Sequence, residues 1–412
     1  MNKTIANYTP LEVVYAPPSK SCLHRVLILS ALSDNINTIY ADEICDDVLC
    51  TINCLRALGC DITVFSDRIV VKSNILLHHN DNVTLDCGES GSTLRFLIPI
   101  VGALGINAEF VCRGNLITRP MTPLIECLTS NGMSINKSDR GYICSGRLRA
   151  GEYKISCEKS SQYVTGLLMA LPMLLKESRI LTDTDITSAY IELTLECLAL
   201  WGIKITKTAD GFIIPDCQLY KGDENIYPEG DWSAGGVFLC MGALSERGIR
   251  VKNLDIASSQ PDKAILTILK KFGAEVKITD NELAVKGGGL LGVDINASHF
   301  PDLVPLICVL GALSKGQTRI FGVERLRFKE SDRISALCSL ITDLGGKIEA
   351  TDNYIRLNGV AEFNNKSIIA VCDHRIAFAC ALAALKCVNP ITIEGAECVK
   401  KSFPSFWEKV GI

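Results

Sequence analysis

One segment type recurs six times along this chain, and that period leaves few folds open. Each copy opens with a short polar, often charged cluster and runs into a nearly all-apolar stretch. The copies begin at Ser19-Lys20-Ser21, Glu89-Ser90-Gly91-Ser92, Ser160-Ser161-Gln162, Asp231-Trp232-Ser233, Pro301-Asp302 and Asp373-His374-Arg375. They end near Leu32, Leu104, Leu174, Leu244, Leu313 and Leu385, and successive ends lie 69 to 72 residues apart. A fixed period of this length means one supersecondary unit used repeatedly. The apolar stretches have no polar face, so the helices they form belong inside a domain.

A second element repeats in step with the first. Residues 55–71, 124–144, 195–214, 265–285 and 337–357 each read as helix end, glycine turn, strand, polar turn and strand. The turn glycines Gly59, Gly132, Gly202, Gly273 and Gly345 are spaced by 70 to 73 residues, and a glycine after a helix is its usual left-handed stop. The strands alternate, as in Glu275-Val276-Lys277-Ile278, which suggests one buried face. Their turns are Ser66-Asp67, Asp210-Gly211, Asp280-Asn281 and Asp352-Asn353. Each unit therefore holds two helices and several short strands, an α/β (α+β) class. Six such units in 412 residues exceed one core. The expectation is two domains of three units each, residues 18–228 and residues 1–17 plus 229–412. The polar stretch 220–230 marks the boundary, and the leading residues complete the second domain through a two-crossing hinge.

The formal net charge is -4, and no Lys/Arg-rich run is present, which argues against a nucleic-acid partner. The longest apolar stretches fall well short of the roughly 20 residues a membrane span needs. The N-terminus has no apolar signal region. A cytoplasmic protein without a membrane partner is expected. The 19 cysteines contain no C-x-x-C spacing and read as buried reduced thiols. The pair His78-His79 reads as loop.

The residues that look chemical sit at the helix starts, where free N–H groups and the positive dipole end suit anions. If the three buried helices of each domain point the same way, six starts face one interdomain cleft. Lys20 and His24 share a helix face, as do Ser21 and Arg25. Arg25, Arg95 and Arg375 each lie in apolar surroundings, where a guanidinium needs an anionic partner. Arg119-Pro120, Lys329-Glu330-Ser331-Asp332-Arg333 and Lys400-Lys401 add further charge. The candidate acid/base groups are Asp302, Glu330, Asp373 and His374. Gly287-Gly288-Gly289 lacks the following Lys-Ser/Thr of a phosphate loop.

These motifs resemble the EPSP synthase (3-phosphoshikimate 1-carboxyvinyltransferase) family over essentially the whole chain. The match runs through Pro18-Ser19-Lys20-Ser21 with Arg25, Gly88 to Ser92 with Arg95, Arg119-Pro120, Ser160-Ser161-Gln162, and Ser188 with Tyr190-Ile191. It continues through Gly230 to Ser233, Pro301-Asp302, Lys329 to Arg333, Asp373-His374-Arg375, and Lys401-Ser402-Phe403-Pro404. The resemblance implies two domains of three βαβαββ repeats, in agreement with the period. It also implies transfer of the enolpyruvyl group of phosphoenolpyruvate to the 5-hydroxyl of shikimate 3-phosphate, in aromatic amino acid biosynthesis. No metal or organic cofactor is implied, and a monomer suffices.

Carried over by motif, shikimate 3-phosphate falls to Lys20, Ser21, Arg25, Ser160, Ser161, Gln162, Ser188, Asp302 and Lys329. Phosphoenolpyruvate falls to Lys20, Gly91, Arg119, Gln162, Arg333, Arg375 and Lys401. Asp302 becomes the base at the 5-hydroxyl. Glu330 and Lys20 become the proton-transfer partners, and His374 completes the catalytic set. The substrates bring two phosphates and two carboxylates, and seven Lys or Arg residues meet them.

Two positions depart from the family pattern. Glu89 stands where many relatives have Asn, and its carboxylate either pairs with a neighbouring Arg or repels phosphoenolpyruvate. Arg325 stands where some relatives have an Asn that contacts shikimate phosphate, and that role is not carried over. The sister enzyme, UDP-N-acetylglucosamine enolpyruvyl transferase, carries a Cys five residues before the Arg matching Arg119. Here that position is Gly114. A non-catalytic anion-binding protein is the rival from another class, and the joint presence of Lys20, Asp302, Glu330, Arg333 and His374 weighs against it.

Overall fold

The computed structural model describes residues 1–6, 8–73, 75, 82–182, 189–279, 282–364 and 367–412. His78-His79, Ser188 and the turn Asp280-Asn281 lie outside the described residues. The chain forms two compact units, Pro18–Pro228 and Met1–Pro17 with Glu229–Ile412.

In the Pro18–Pro228 unit three four-stranded sheets share one order, a parallel pair followed by two antiparallel pairs. In the middle sheet Val83–Asp86 runs parallel to Ala108–Val111, which pairs with Gly141–Gly146, which pairs with Met133–Ser138. A parallel pair needs a crossover, and the helix Gly91–Leu104 supplies it. Glu152–Ile155, Ser178–Thr182, Gly211–Ile214 and Thr206–Lys207 repeat the pattern. The first sheet repeats it with a substitution. The parallel partner of Ile36–Tyr40 is Asn225–Ile226, from the far end of the unit, so the last strand closes the unit on its first.

The second unit borrows from the N-terminus instead. Val13–Tyr15 runs parallel to Ile249–Lys252 and completes the sheet of Glu282–Lys286 and Glu275–Ile278. Asp294–Asn296, Gln317–Phe321, Tyr354–Asn358 and Lys347–Ala350 form the next sheet in the same order. The last sheet has three strands, with Asn2–Ile5 antiparallel to Ile391–Glu394 where a hairpin strand would lie. The chain continues there into the 3-10 turn Ala396–Lys401 and the helix Phe406–Val410. This accounts for a hairpin pattern readable five times beside six helices.

The all-apolar stretches form the interior of each unit. All 12 residues of the helix Trp232–Ala243 are buried, as are Cys22 to Leu32 of Lys20–Leu32. Their starts are capped by the polar clusters. Ser19 accepts the Cys22 N–H (3.3 Å), Ser90 the Thr93 N–H (3.3 Å), Asp231 the Ala234 N–H (2.9 Å) and Asp373 the Arg375 N–H (2.9 Å). Each such cap contributes about 1 kcal/mol. The helix Val304–Ala312 is entered instead through the 3-10 turn Pro301–Leu303, which holds Asp302.

Close packing of these helices depends on glycine. Pro99 leaves the Arg95 carbonyl without its intrahelical donor. Gly166 of the helix Gln162–Ala170 packs against that carbonyl, where a Cβ would come within 2.4 Å of the oxygen. The starts of these two helices are thereby fixed side by side.

Candidate active site

In the Pro18–Pro228 unit the sequence-singled residues gather at the starts of three buried helices, Lys20–Leu32, Gly91–Leu104 and Gln162–Ala170. Arg25 is 3% exposed. Its Nε donates to Thr194 Oγ1 (2.9 Å), and its two Nη atoms donate to the Ser21 and Tyr190 carbonyls (2.6 and 3.0 Å). Its Cζ lies 5.3 Å from the centroid of the Phe96 ring. Every one of these partners is neutral, and burial pushes the guanidinium below its usual pKa. A buried cation so placed is an acceptor site for an anion.

Gln162 couples the other two helices. Its Oε1 accepts from Arg95 Nη1 (2.8 Å) and its Nε2 donates to Ser92 Oγ (2.9 Å). Arg95 also donates to the Pro120 carbonyl (3.2 Å), which takes the Tyr163 hydroxyl as well (2.6 Å). The loop carrying Arg119 is thus tied to the same point. A Cβ on Gly91 would lie 2.7 Å from Arg95 Nη1 and 2.9 Å from Arg119 Nη1. The absent side chain lets two guanidinium groups share the start of that helix. Ser160 accepts the Gln162 N–H (3.3 Å), and Ser161 is buried beside it.

Lys20 pairs with Asp47 at 2.9 Å. Asp47 was not legible as a partner, because it comes from the start of another helix, Asp46–Ala57. The same holds for a buried polar chain running from His24 Nδ1 to Thr51 Oγ1 (2.7 Å), on to Thr93 Oγ1 (2.7 Å) and to Ser90 Oγ (2.7 Å). Burial lowers the His24 pKa to about 3, so that ring is neutral at physiological pH. Glu89 is exposed and lies over Gly114, where a Cβ would come 2.1 Å from Glu89 Oε1. A cysteine at 114 therefore requires the Glu89 side chain to move.

The second unit collects the acid/base candidates. Asp302 Oδ1 accepts from Arg333 Nη1 (2.7 Å) and lies 3.2 Å from Lys329 Nζ, while Arg375 Nη2 stands 3.7 Å from Oδ2. Burial acts to raise the Asp302 pKa, but Lys329, Arg333 and Arg375 together outweigh it and hold the carboxyl well below the usual range. Arg333 is 1% exposed. It donates to Asp302, to Glu330 Oε2 (2.8 Å) and to both oxygens of Asp373 (2.8 and 3.2 Å). Ser331 also donates to Asp373 (3.0 Å). His374 is buried, edge-on to Phe378, with Nδ1 4.0 Å from Asp373. Lys401 is buried at the end of the Ala396–Lys401 turn. Arg325 is half-buried on the turn Glu324–Phe328.

So the structure gathers Lys20, Ser21, Arg25, Gly91, Arg119, Ser160, Ser161 and Gln162 in one unit. Asp302, Lys329, Glu330, Arg333, His374, Arg375 and Lys401 fall in the other. Among the described residues, no three His, Cys, Asp or Glu side chains are arranged to hold a metal ion. Among them, too, no helix is long and apolar enough to cross a membrane.

Two small mixed α/β units with anion-seeking helix starts and an acid/base cluster define the class of site, and comparison with known proteins narrows it. The family model described as EPSP synthase (3-phosphoshikimate 1-carboxyvinyltransferase) matches residues 10–410. A 3-phosphoshikimate 1-carboxyvinyltransferase of Clostridium perfringens (strain SM101 / Type A) is 36% identical, over 99% of this chain and 97% of its own length. One from Clostridium kluyveri is 38% identical, over 98% of this chain and 95% of its own. The EPSP synthase structure from Acinetobacter baumannii superimposes with a TM-score of 0.79 at 22% identity, covering 100% of this chain and 97% of that one. The last match shows the fold. The chain belongs to the EPSP synthase family.

Proposed function

We propose that this protein transfers the enolpyruvyl group of phosphoenolpyruvate to the 5-hydroxyl of shikimate 3-phosphate and releases phosphate. Family membership supports the reaction. The observation that carries the residue roles is Asp302, an ionised carboxylate facing three cations. In this resting arrangement it is a weak base, because its charge is more than balanced. When Lys329 and Arg375 turn to substrate phosphates and carboxylates, Asp302 loses that stabilisation and its affinity for the 5-hydroxyl proton rises. Substrate charge thereby switches on the base.

In this reading Arg25, Ser160, Ser161, Gln162 and Lys329 hold shikimate 3-phosphate, with Lys20 and Ser21. Ser188 keeps the role given by its motif. Gly91, Arg119, Arg333, Arg375 and Lys401 hold phosphoenolpyruvate, with Lys20 and Gln162 shared. Arg333 must loosen one of its carboxylates to do so. Glu330 and Lys20 move the protons at the methylene carbon and the bridging oxygen, and His374 completes the catalytic set. The addition gives a tetrahedral intermediate, which loses phosphate in the elimination. None of the 19 cysteines is joined in a disulfide, and we place a monomer in the cytoplasm, a reducing compartment.

The test is phosphate release from phosphoenolpyruvate with shikimate 3-phosphate, with UDP-N-acetylglucosamine, and with neither. Release dependent on shikimate 3-phosphate is the expected result. Release dependent on the sugar nucleotide would move the chain to the sister activity, against the crowding of Gly114 by Glu89. No release from folded protein would favour the binding-protein reading.

A further inference from the structure

Asp262 belongs to none of the roles above, yet it is 1% exposed and charged by type. It sits in the 3-10 turn Pro261–Ala264, and that turn is fastened to the start of the helix Trp232–Ala243. Gln260 Oε1 accepts the Trp232 N–H (3.0 Å) and Gln260 Nε2 donates to the Gly230 carbonyl (2.8 Å). The Gln260 N–H in turn is taken by Ser258 Oγ (3.0 Å). The position of Asp262 is thus built, not incidental. Ser233 donates its hydroxyl to Oδ2, while the buried Oδ1 has no hydrogen-bond partner.

The charged groups that face Asp262 are Asp302, Arg375 and Asp231. Arg375 is underused as well. Its buried Nε has no partner, and its approach to Asp302 is 3.7 Å, longer than a hydrogen bond. Its electrostatic neighbours are first Asp302 and then Asp262. A guanidinium facing two carboxyls while hydrogen-bonded to neither contrasts with Arg333, whose donors are committed to three carboxylates. An ionised Asp262 would compete for Arg375 in a poorly solvated site, where an ion pair is hard to leave. A protonated Asp262 would not. Burial, and then the Asp302 charge, push Asp262 up to about 7, with Arg375 and Ser233 acting in the other direction.

We propose that Asp262 is a positioning residue that must carry a proton for Arg375 to be released to an incoming carboxylate or phosphate, so that phosphoenolpyruvate binding is linked to proton uptake at Asp262. This rests on the reading of Arg375 as a phosphoenolpyruvate ligand. The proton comes from solvent on binding and returns on release, so the overall reaction is unchanged.

The experiment is the KM for phosphoenolpyruvate between pH 6.5 and 8.5, at saturating shikimate 3-phosphate, in the parent and in Asp262→Asn. Asn keeps the size and the acceptor for Ser233 and cannot ionise. The ionisation of phosphoenolpyruvate itself is common to both and cancels in the ratio of the two KM values. That ratio, variant over parent, is expected to fall about tenfold or more across the range, since the linkage approaches tenfold per pH unit above the titration point. A ratio that stays constant with pH overturns the proposal. Calorimetry on the parent alone, at pH 8 in two buffers of different ionisation heat, gives a second readout that needs no variant. Proton uptake on binding phosphoenolpyruvate is expected, and binding with no uptake overturns the proposal. Either contrary result leaves the functional reading intact. A parent that releases no phosphate at any pH overturns the functional reading and this proposal together.

Discussion

Arg25 and Arg333 are both buried guanidinium groups in apolar helical surroundings, one in each unit, and they have been solved in opposite ways. Arg25 meets a hydroxyl, two carbonyls and a ring face. Arg333 meets Asp302, Glu330 and Asp373. The first has only neutral partners in the fold. The second is neutralised within the fold by three carboxylates. A buried arginine near a helix start is therefore either without a counter-charge or already paired within the fold, and only its partners distinguish the two cases.

The largest effect expected from breaking the contrast is Asp302→Ala. Loss of the base should lower kcat by about 100- to 10,000-fold, measured as phosphate release. A variant that still made full product would remove Asp302 from the role of base. Next, Arg333→Met takes the paired guanidinium from the fully buried Asp373 carboxylate and should cost about 3–5 kcal/mol of stability, read from urea unfolding. Arg25→Met removes an uncompensated charge, so it should leave the urea midpoint near or above that of the parent. It should raise the KM for shikimate 3-phosphate by about 10- to 100-fold, the scale of a lost charge-assisted hydrogen bond. If Arg25→Met unfolds as readily as Arg333→Met, the contrast fails.

Gly91→Ala brings a methyl against the guanidinium groups of Arg95 and Arg119. A displacement of an ångström or so is expected to raise the KM for phosphoenolpyruvate about tenfold or more, with a smaller change for shikimate 3-phosphate. Equal changes in both KM values would detach Gly91 from the phosphoenolpyruvate side.

The smallest effect is a divergence of the two units between pH 7 and 5. His24 stays neutral in the fold, with a pKa of about 3, whereas an unfolded histidine takes a proton below about 6.5. The unfolded chain then binds more protons, and the Pro18–Pro228 unit loses about 2 kcal/mol by pH 5. Asp262 behaves in the opposite sense. Its folded pKa of about 7 exceeds the usual carboxyl value of about 3.9. Folding there binds the extra proton, so the second unit gains about 2 kcal/mol over the same interval. Hydrogen exchange at pH 7 and 5, corrected for intrinsic rates, should show protection falling along Lys20–Leu32 and rising along Trp232–Ala243. His24→Gln and Asp262→Asn should each flatten their own unit, and parallel behaviour of both units would refute the assignment.

The features legible from sequence were those that a single stretch of chain defines. The buried helices followed from apolar runs without a polar face, their starts from Ser19, Ser90, Asp231 and Asp373, and the hairpins from glycine stops. The candidate residues at helix starts were legible because capping and anion binding use the same few positions. The missing sixth hairpin was visible as a gap, but its replacement by Asn2–Ile5 was not, because that pairing joins the two ends of the chain.

What the sequence by itself determined is the six-fold period, the buried helices and the cluster of ionisable residues at their starts, since each depends on neighbours within a turn or two. The tertiary structure alone decided which charges are committed. Asp47 reaches Lys20, Thr194 reaches Arg25, Glu89 covers Gly114, and Asp262 faces Arg375, each from a different segment of the chain. Burial sets the cost of a charge, and a partner's position decides whether that cost is met. Neither is a property of local sequence.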